Sequence, residues 1–351
     1  MKILLATTQA PFMTGGAEIH ADTLLDVLRK KGHQADIIRL PFFWDPPERI
    51  IDSALAARMI DAGACNGHKC DLVIGLKFPA YHIHAPRKVL WILHQHRTAF
   101  DMWKHPLCDL AQYPNGRDIR DAIDSMERRW LPEADALFAN SHNVARRLSD
   151  YCDLDADALY HPPPSADDLK WVSDDGYWLV PGRIEQMKRQ KIVIQALGLL
   201  GRKAPNAVFL GTAQDTTYFN ELKSLADRLG VGSKIRWAGF VSKEERVSLY
   251  GRCRGVIYPP IDEDYGYVTL EAMLASKPVL TCSDSGGPLE FVRNDETGFI
   301  CEPTPEQLAE KIGLLSGDPM KASGFGRAGH TAYNTLGISW DKVIETLLAP
   351  R

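Results

Sequence analysis

Glu263 and Glu271 stand eight positions apart in the stretch Glu263-Asp-Tyr-Gly-Tyr-Val-Thr-Leu-Glu271. A carboxylate accepts hydrogen bonds from vicinal hydroxyls, the grouping that ribose and hexoses both present. The residues just before, Gly255 to Tyr258, read as a buried strand, and the spacing predicts a helix starting near Tyr267. Gly266 lies between, where the lack of a side chain lets backbone N–H groups approach a ligand closely. The positive end of the helix that follows favours negative charge, so the loop suits a phosphate. By spacing alone, the same glutamates also fit ordinary dipole partners of a helix start.

The surroundings of the pair narrow the choice. Glu263, Tyr265, Gly266 and Glu271, followed by Ala272-Met273 and then by Ser285-Gly-Gly-Pro-Leu-Glu290, resemble the retaining glycosyltransferases of family 4, which have the GT-B fold. Gly182-Arg-Ile-Glu-Gln-Met-Lys188 looks like that family's Gly-Arg-Leu segment with its lysine in the matching place. Gly15-Gly-Ala-Glu-Ile-His20 resembles its N-terminal glycine loop, and His94 resembles its substrate-facing histidine. These segments occur in the family's order across nearly the whole chain.

The resemblance implies roles. Glu271 would bind ribose hydroxyls and Glu263 would lie by the transferred sugar. Arg183 and Lys188 would grip the diphosphate, while Gly15 and Gly16 would let the first domain close on it. His94 and the backbone of Tyr265, Gly266, Tyr267 and Val268 would meet the sugar. The catalytic set is then Glu263, His94, Arg183 and Lys188, and the donor set is Gly15, Gly16, Arg183, Lys188, Tyr265, Gly266, Tyr267, Val268 and Glu271. Two fixed cations can stabilise the charge that develops on a leaving nucleoside diphosphate, so neither a metal nor another cofactor is expected. The implied reaction moves a sugar from a UDP- or GDP-sugar to a hydroxyl of a saccharide or lipid-linked acceptor, in surface polysaccharide or glycolipid synthesis. Retention is implied as well, by a same-face transfer in which the leaving phosphate helps to deprotonate the acceptor. The chain departs from the family in two places: Tyr160-His-Pro-Pro-Pro164 replaces a proline-asparagine-glycine turn, and Asp264 replaces a glycine.

Other readings compete at single residues. Arg183 and Lys188 lie close to Arg189 and Lys191, as in a solvated basic face, and His94 lies beside His96 and Arg97, as a packed histidine would. His20 falls within the first helix and also reads as a surface residue. Asp262-Glu-Asp264 has the Asp-x-Asp spacing of a divalent-metal site, but it overlaps the glutamate motif. Cys65, His68 and Cys70, with His105 and Cys108 further on, contain zinc-like spacings, and free thiols in a loop are the preferred reading. For the whole chain, the rivals are a phosphorylase or epimerase of the same fold and a non-catalytic subunit that binds nucleotide-sugars. No Gly-x-Gly-x-x-Gly follows the first strand, which argues against a dinucleotide oxidoreductase.

The elements that must position these residues follow from hydrophobic pattern. Ile3 to Thr7 is a short apolar run. After a loop with Gly15 and Gly16, the residues Ala17, Ala21, Leu24, Leu25 and Leu28 form one helical stripe, and Ala35 to Leu40 restarts a strand. Strand, glycine loop, helix and strand make a βαβ unit, which requires a parallel sheet covered by helices. Further strands are expected at Leu72 to Gly75, Val89 to Leu93 and Ala136 to Ala139. A second series has strands at Tyr177 to Val180, Ala207 to Leu210, Lys234 to Ala238 and Gly255 to Tyr258, with helices near Gln190 to Leu200 and Tyr218 to Leu229. The expected architecture is α/β: two doubly wound Rossmann-like domains with parallel sheets facing an interdomain cleft. Expected bounds are 1–163 for the N-terminal acceptor-side domain, 164–176 for the linker and 177–334 for the nucleotide-sugar domain. Residues 335–351 would form a C-terminal helix, from Trp340 to Leu348, that returns to the first domain.

The 351 residues suffice for two cores, and the 45% apolar and 25% charged fractions are those of a globular protein. A formal net charge of -4 gives no reason to expect nucleic acid. Without a long apolar run or a signal-peptide core, the expected location is cytoplasmic, with peripheral contact at the inner face of the membrane left open. The charged segment Arg117 to Arg129 fits such a contact. It fits a salt-bridged helix face equally well, because Arg117 and Asp121, like Asp124 and Arg128, stand at i, i+4.

Overall fold

The computed structural model describes residues 1–349 apart from Thr14 and Asn66, and the side chain of Cys65 is outside the description. The chain divides into two units: residues 1–164 with 339–351, and residues 165–338.

In the first unit the elements run β1 (Lys2–Gln9), α1 (Gly16–Lys30), β2 (Gln34–Pro41), α2 (Glu48–Arg58), a small hairpin of β3 (Ala64–Cys65) and β4 (His68–Lys69), and β5 (Leu72–Gly75). They continue with β6 (Lys88–Ile92), α3 (Gly116–Trp130), β7 (Ala136–Ala139), α4 (His142–Cys152) and β8 (Asp157–Ala158). Six strands form one parallel sheet in the order β2-β1-β5-β6-β7-β8. Every residue of β5 and β6 is buried, as a sheet covered on both faces requires. The stripe expected on α1 buries Ala21, Leu24, Leu25 and Leu28. His20 corrects the surface reading: it is 2% exposed and packs between His161 and Trp91, with ring centroids 4.2 and 4.5 Å away.

The second unit contains β9 (Trp178–Pro181), α5 (Gln190–Leu200), β10 (Ala207–Leu210), α6 (Thr216–Arg228), β11 (Ile235–Gly239), α7 (Lys243–Arg252), β12 (Gly255–Ile257), α8 (Tyr267–Leu274), β13 (Val279–Cys282), β14 (Gly298–Cys301), α9 (Pro305–Gly317) and α10 (Pro319–Thr335). Its parallel sheet has the order β11-β10-β9-β12-β13-β14. The proline- and acid-rich stretch before β9 lies along this unit: Val172 N–H donates to the Gly251 carbonyl at 2.8 Å, and the Lys277 ammonium donates to the Ser173 carbonyl at 2.7 Å. The last helix, α11 (Trp340–Leu348), belongs to the first unit, where it buries Val343, Ile344 and Leu347 and stacks Trp340 on His161.

In each sheet the strand order reverses once, between β1 and β5 in the first and between β9 and β12 in the second. Ligands of doubly wound sheets bind beyond the carboxyl ends of the strands at such a reversal. The loops that leave β9 and β12 carry Arg183, Lys188 and Glu263, and the loops that leave β1 and β5 carry Gly15 and Lys77.

Candidate active site

Each side of the reversal in the second unit is built by a constrained loop. After β9 the chain turns at Gly182, whose φ is +130°, and is clipped to the end of β10 by Gly182 N–H to the Leu210 carbonyl at 2.8 Å and Ile184 N–H to the Thr212 carbonyl at 2.9 Å. A Cβ on Gly211 would lie 2.1 Å from the Gly182 carbonyl oxygen, so glycine is required there. A single 3₁₀ turn, Gln186–Lys188, then aims Lys188 towards Glu263, with which it forms an ion pair. The Lys188 ammonium also lies 5.8 Å from the centroid of the Tyr258 ring. Arg183 stands apart from this pair: its guanidinium is 3.5 Å from Glu185 and half exposed.

The acidic loop after β12 is held on both sides. Ile261 N–H donates to the Met187 carbonyl at 2.8 Å, which joins it to the Lys188 turn. Asp262 and Glu263 N–H donate to the Asp284 and Ser285 carbonyls at 2.9 Å, and Gly287 N–H donates to the Glu263 carbonyl at 2.7 Å. Arg189 grips Asp284 with two nitrogens, one of them at 2.6 Å, so the loops after β9, β12 and β13 form one laced surface. Gly266 adopts φ +82°, in the left-handed region, and starts α8. Tyr265 is buried against Phe291, and Tyr267 and Val268 begin the helix, whose N-terminal amides make this end partly positive. Burial pushes the Tyr258 phenol well above its usual pKa, and the neighbouring Glu263 charge adds to this.

Glu271 lies further along α8 and is 4% exposed. Burial raises its carboxyl pKa, and the Arg246 guanidinium, which pairs with it, opposes the rise. The second unit thus brings Lys188 together with Glu263 and sets Glu271 against Arg246. The resemblance to the family gave no role to Arg246, Arg189 or Asp284.

In the first unit Gly15 caps α1. Glu18 accepts a hydrogen bond from Gly15 N–H at 2.8 Å and pairs with the Lys77 ammonium at 3.1 Å. Burial raises the Glu18 pKa, but Lys77 and the backbone N–H outweigh it and hold the carboxyl below its usual value. His94 follows β6, with Nδ1 2.8 Å from the Gln95 carbonyl oxygen. Gln95 in turn donates to the fully buried Glu127 at 2.7 Å, and the Tyr81 hydroxyl donates to the same carboxylate. Burial pushes the Glu127 pKa up to about 7 and the His96 pKa down to about 4. The signal that could have found Lys77 is its position two residues after a buried strand.

Among the described residues no group of three or more His, Cys, Asp or Glu side chains is arranged to hold a metal. Asp262 and Asp264 flank a glutamate that is paired with Lys188. His68 is exposed on the β3–β4 hairpin beside Lys2, the Cys108 thiol faces the Thr98 carbonyl, and the Cys65 side chain, named above with its zinc-like spacing, lies outside the described residues.

Residues 165–331, the unit that carries this laced surface, match the family described as Glycosyl transferases group 1. That unit is the part of the chain in which the likeness to the group 1 glycosyltransferases lies. The whole chain is 28% identical over 239 residues to the human alpha-1,3/1,6-mannosyltransferase, covering 61% of its own length and 57% of the relative. It is 27% identical over 245 residues to the D-inositol 3-phosphate glycosyltransferase of Nocardia farcinica, covering 63% and 53%. The chain spans about half the length of the curated relatives it matches. Among solved structures it is similar to the HepE protein of Anabaena in complex with UDP and glucose, with a TM-score of 0.71 and 17% identity over 100% of both chains. The fold is GT-B. No helix among the described residues is long and apolar enough to cross a membrane.

Proposed function

We propose that this chain transfers a sugar from a nucleoside diphosphate-sugar to an acceptor hydroxyl, with retention of anomeric configuration and without a metal. The observation that carries the reading is the Lys188–Glu263 pair at the strand reversal, next to the N-terminus of α8. A cation and a helix N-terminus side by side suit a diphosphate, and Glu271 on the same helix suits the ribose diol. Arg183, half exposed and next to Glu185, is assigned to a phosphate oxygen, which its guanidinium can take in a bidentate grip. Gly15, Gly16 and His94 are assigned to the diphosphate and the sugar. Glu263 is placed at the sugar, sharing the Lys188 ammonium with the phosphate.

In the reaction the bond between the anomeric carbon and the phosphate oxygen breaks while the acceptor oxygen bonds to the same face. The acceptor proton passes to the leaving phosphate, whose growing charge Lys188 and Arg183 stabilise. UDP-sugars are the first donors to try, because the HepE structure was solved with UDP; GDP-mannose follows from the mannosyltransferase relatives. The acceptor is a saccharide or a lipid-linked glycan, and the protein would meet a lipid-linked one at the cytoplasmic face of the membrane.

Purified protein given a panel of UDP- and GDP-sugars is expected to release nucleoside diphosphate slowly, through transfer to water. Lys188→Ala and Glu263→Ala are each expected to lower that rate by about 10²- to 10³-fold, the scale of losing one transition-state contact. Proton NMR of the sugar before mutarotation should show the donor's own anomer. An inverted product would overturn retention, and unchanged rates in both variants would overturn the site.

A further inference from the structure

Arg246 sits on α7, one turn after Lys243, and its guanidinium reaches partners on different elements. Nη1 pairs with Glu271 on α8, and Nη2 lies 3.2 Å from the Ser165 hydroxyl. Ser165 is the first residue of the second unit, and it is held at φ +61°, ψ +29°. That left-handed conformation is uncommon for a residue with a side chain and persists where the surroundings enforce it. Lys243 adds a second tie, pairing with Asp168 at 2.7 Å. One face of α7 therefore holds both the entry turn of the unit and the buried carboxylate to which the nucleoside is assigned.

We propose that Arg246 is a positioning residue for the nucleotide: it fixes the Glu271 carboxylate for the ribose diol and ties it to Ser165, where the chain enters the unit. The proposal rests on the donor reading above. The groups that face Glu271 are Arg246 and Tyr250 from α7 and Tyr267 from its own helix. Burial pushes both phenols up, so Arg246 is the cation of this set. A diol needs the ionised carboxylate as acceptor, and burial alone favours the protonated form. With Arg246 removed, Glu271 takes up a proton at higher pH, so nucleotide binding weakens as pH falls.

The test is calorimetric titration of the full chain with UDP-glucose and GDP-mannose at pH 8 and pH 6. Each variant is read as a ratio to wild type at the same pH, which cancels other titrating groups. Arg246→Gln is expected to bind more weakly than wild type, and the deficit should grow by up to about tenfold per pH unit towards pH 6. Arg246→Lys keeps the charge and should show a pH-independent deficit. Ser165→Ala should weaken binding by about threefold at both pH values, the worth of one ordinary hydrogen bond. If wild type binds a donor and Arg246→Gln shows no deficit, or one that is equal at both pH values, the inference is overturned while the donor reading stands. If wild type binds neither donor, the donor reading fails and the inference falls with it. Should Arg246→Gln not fold, Arg246→Lys decides: wild-type affinity in that variant contradicts the need for a fixed guanidinium, and weaker binding supports it.

Discussion

Glu127 shows what burial does to a single group. It is fully enclosed, receives hydrogen bonds from Gln95 and Tyr81, and still has its pKa pushed up to about 7 by loss of water. A folded-state pKa above the unfolded value stabilises the fold most below about 4.5, and that contribution is lost as pH rises towards about 7. Glu127→Gln removes the titration. Urea unfolding should therefore show the variant gaining on wild type by about 2.5 kcal/mol between pH 5 and pH 8, at about 1.4 kcal/mol per pKa unit. An equal difference at both pH values would contradict this. Lys188, Glu263 and Glu271, which sequence reasoning singled out, sit inside contiguous motifs whose local pattern carries the signal. Lys77 and Arg246 were not legible, because their roles arise from partners 59 and 25 positions away that only the folded chain brings near.

At the scale of elements, the loops of the second unit are placed by close backbone approach. A Cβ on Gly287 would lie 2.7 Å from the Tyr265 carbonyl oxygen and 2.8 Å from that of Asp264. Gly287→Ala is expected to displace the Glu263 loop and to cost about 1–3 kcal/mol of stability, as overpacking does. Donor hydrolysis should fall with it while the helical circular dichroism signal is kept; full activity would show that the loop has slack. Long amphipathic patterns and fully apolar runs were readable: α1, α5, β5, β7 and β10 appear where the sequence placed them, within a residue or two. The charged segment Arg117 to Arg129 lies within α3, where the Asp124–Arg128 pair forms at 3.2 Å. By contrast α10 and β14 escaped sequence reasoning, and glycine explains why. Gly326 in α10 lies against the Ser276 carbonyl and Gly298 in β14 against that of Val279, so close packing replaced the apolar side chains that carry periodicity.

Across the whole molecule the two units differ in how they respond to acid. His20, His82 and His161 are buried and His96 is half-buried, all in the first unit, and loss of water holds their pKa values down, to about 3 for His20 and His82, about 4 for His96 and well below the usual value for His161. The unfolded chain binds these protons near pH 6.5 and the fold does not, so stability is present above that pH and is lost as pH falls, by about 1.4 kcal/mol per group and pH unit. Glu127 acts in the opposite direction, but it is one group against four. The second unit contains one histidine, His330. Calorimetric melts at pH 7.5 and pH 5.5 should therefore show the transition of the first unit moving down far more than that of the second, with hydrogen exchange assigning the two. Equal shifts would refute the assignment. The alternation of strand and helix made the two doubly wound sheets legible, whereas the packing of residues 165–176 along the second unit depends on backbone bonds that no local pattern announces. The central claim, that the surface around Lys188, Glu263 and Glu271 takes a nucleoside diphosphate-sugar, is tested most directly by isothermal titration of the full chain with UDP, GDP and their sugars. The account predicts measurable binding of at least one nucleotide, lost in Lys188→Ala. No heat of binding from any of them at millimolar concentration would contradict it.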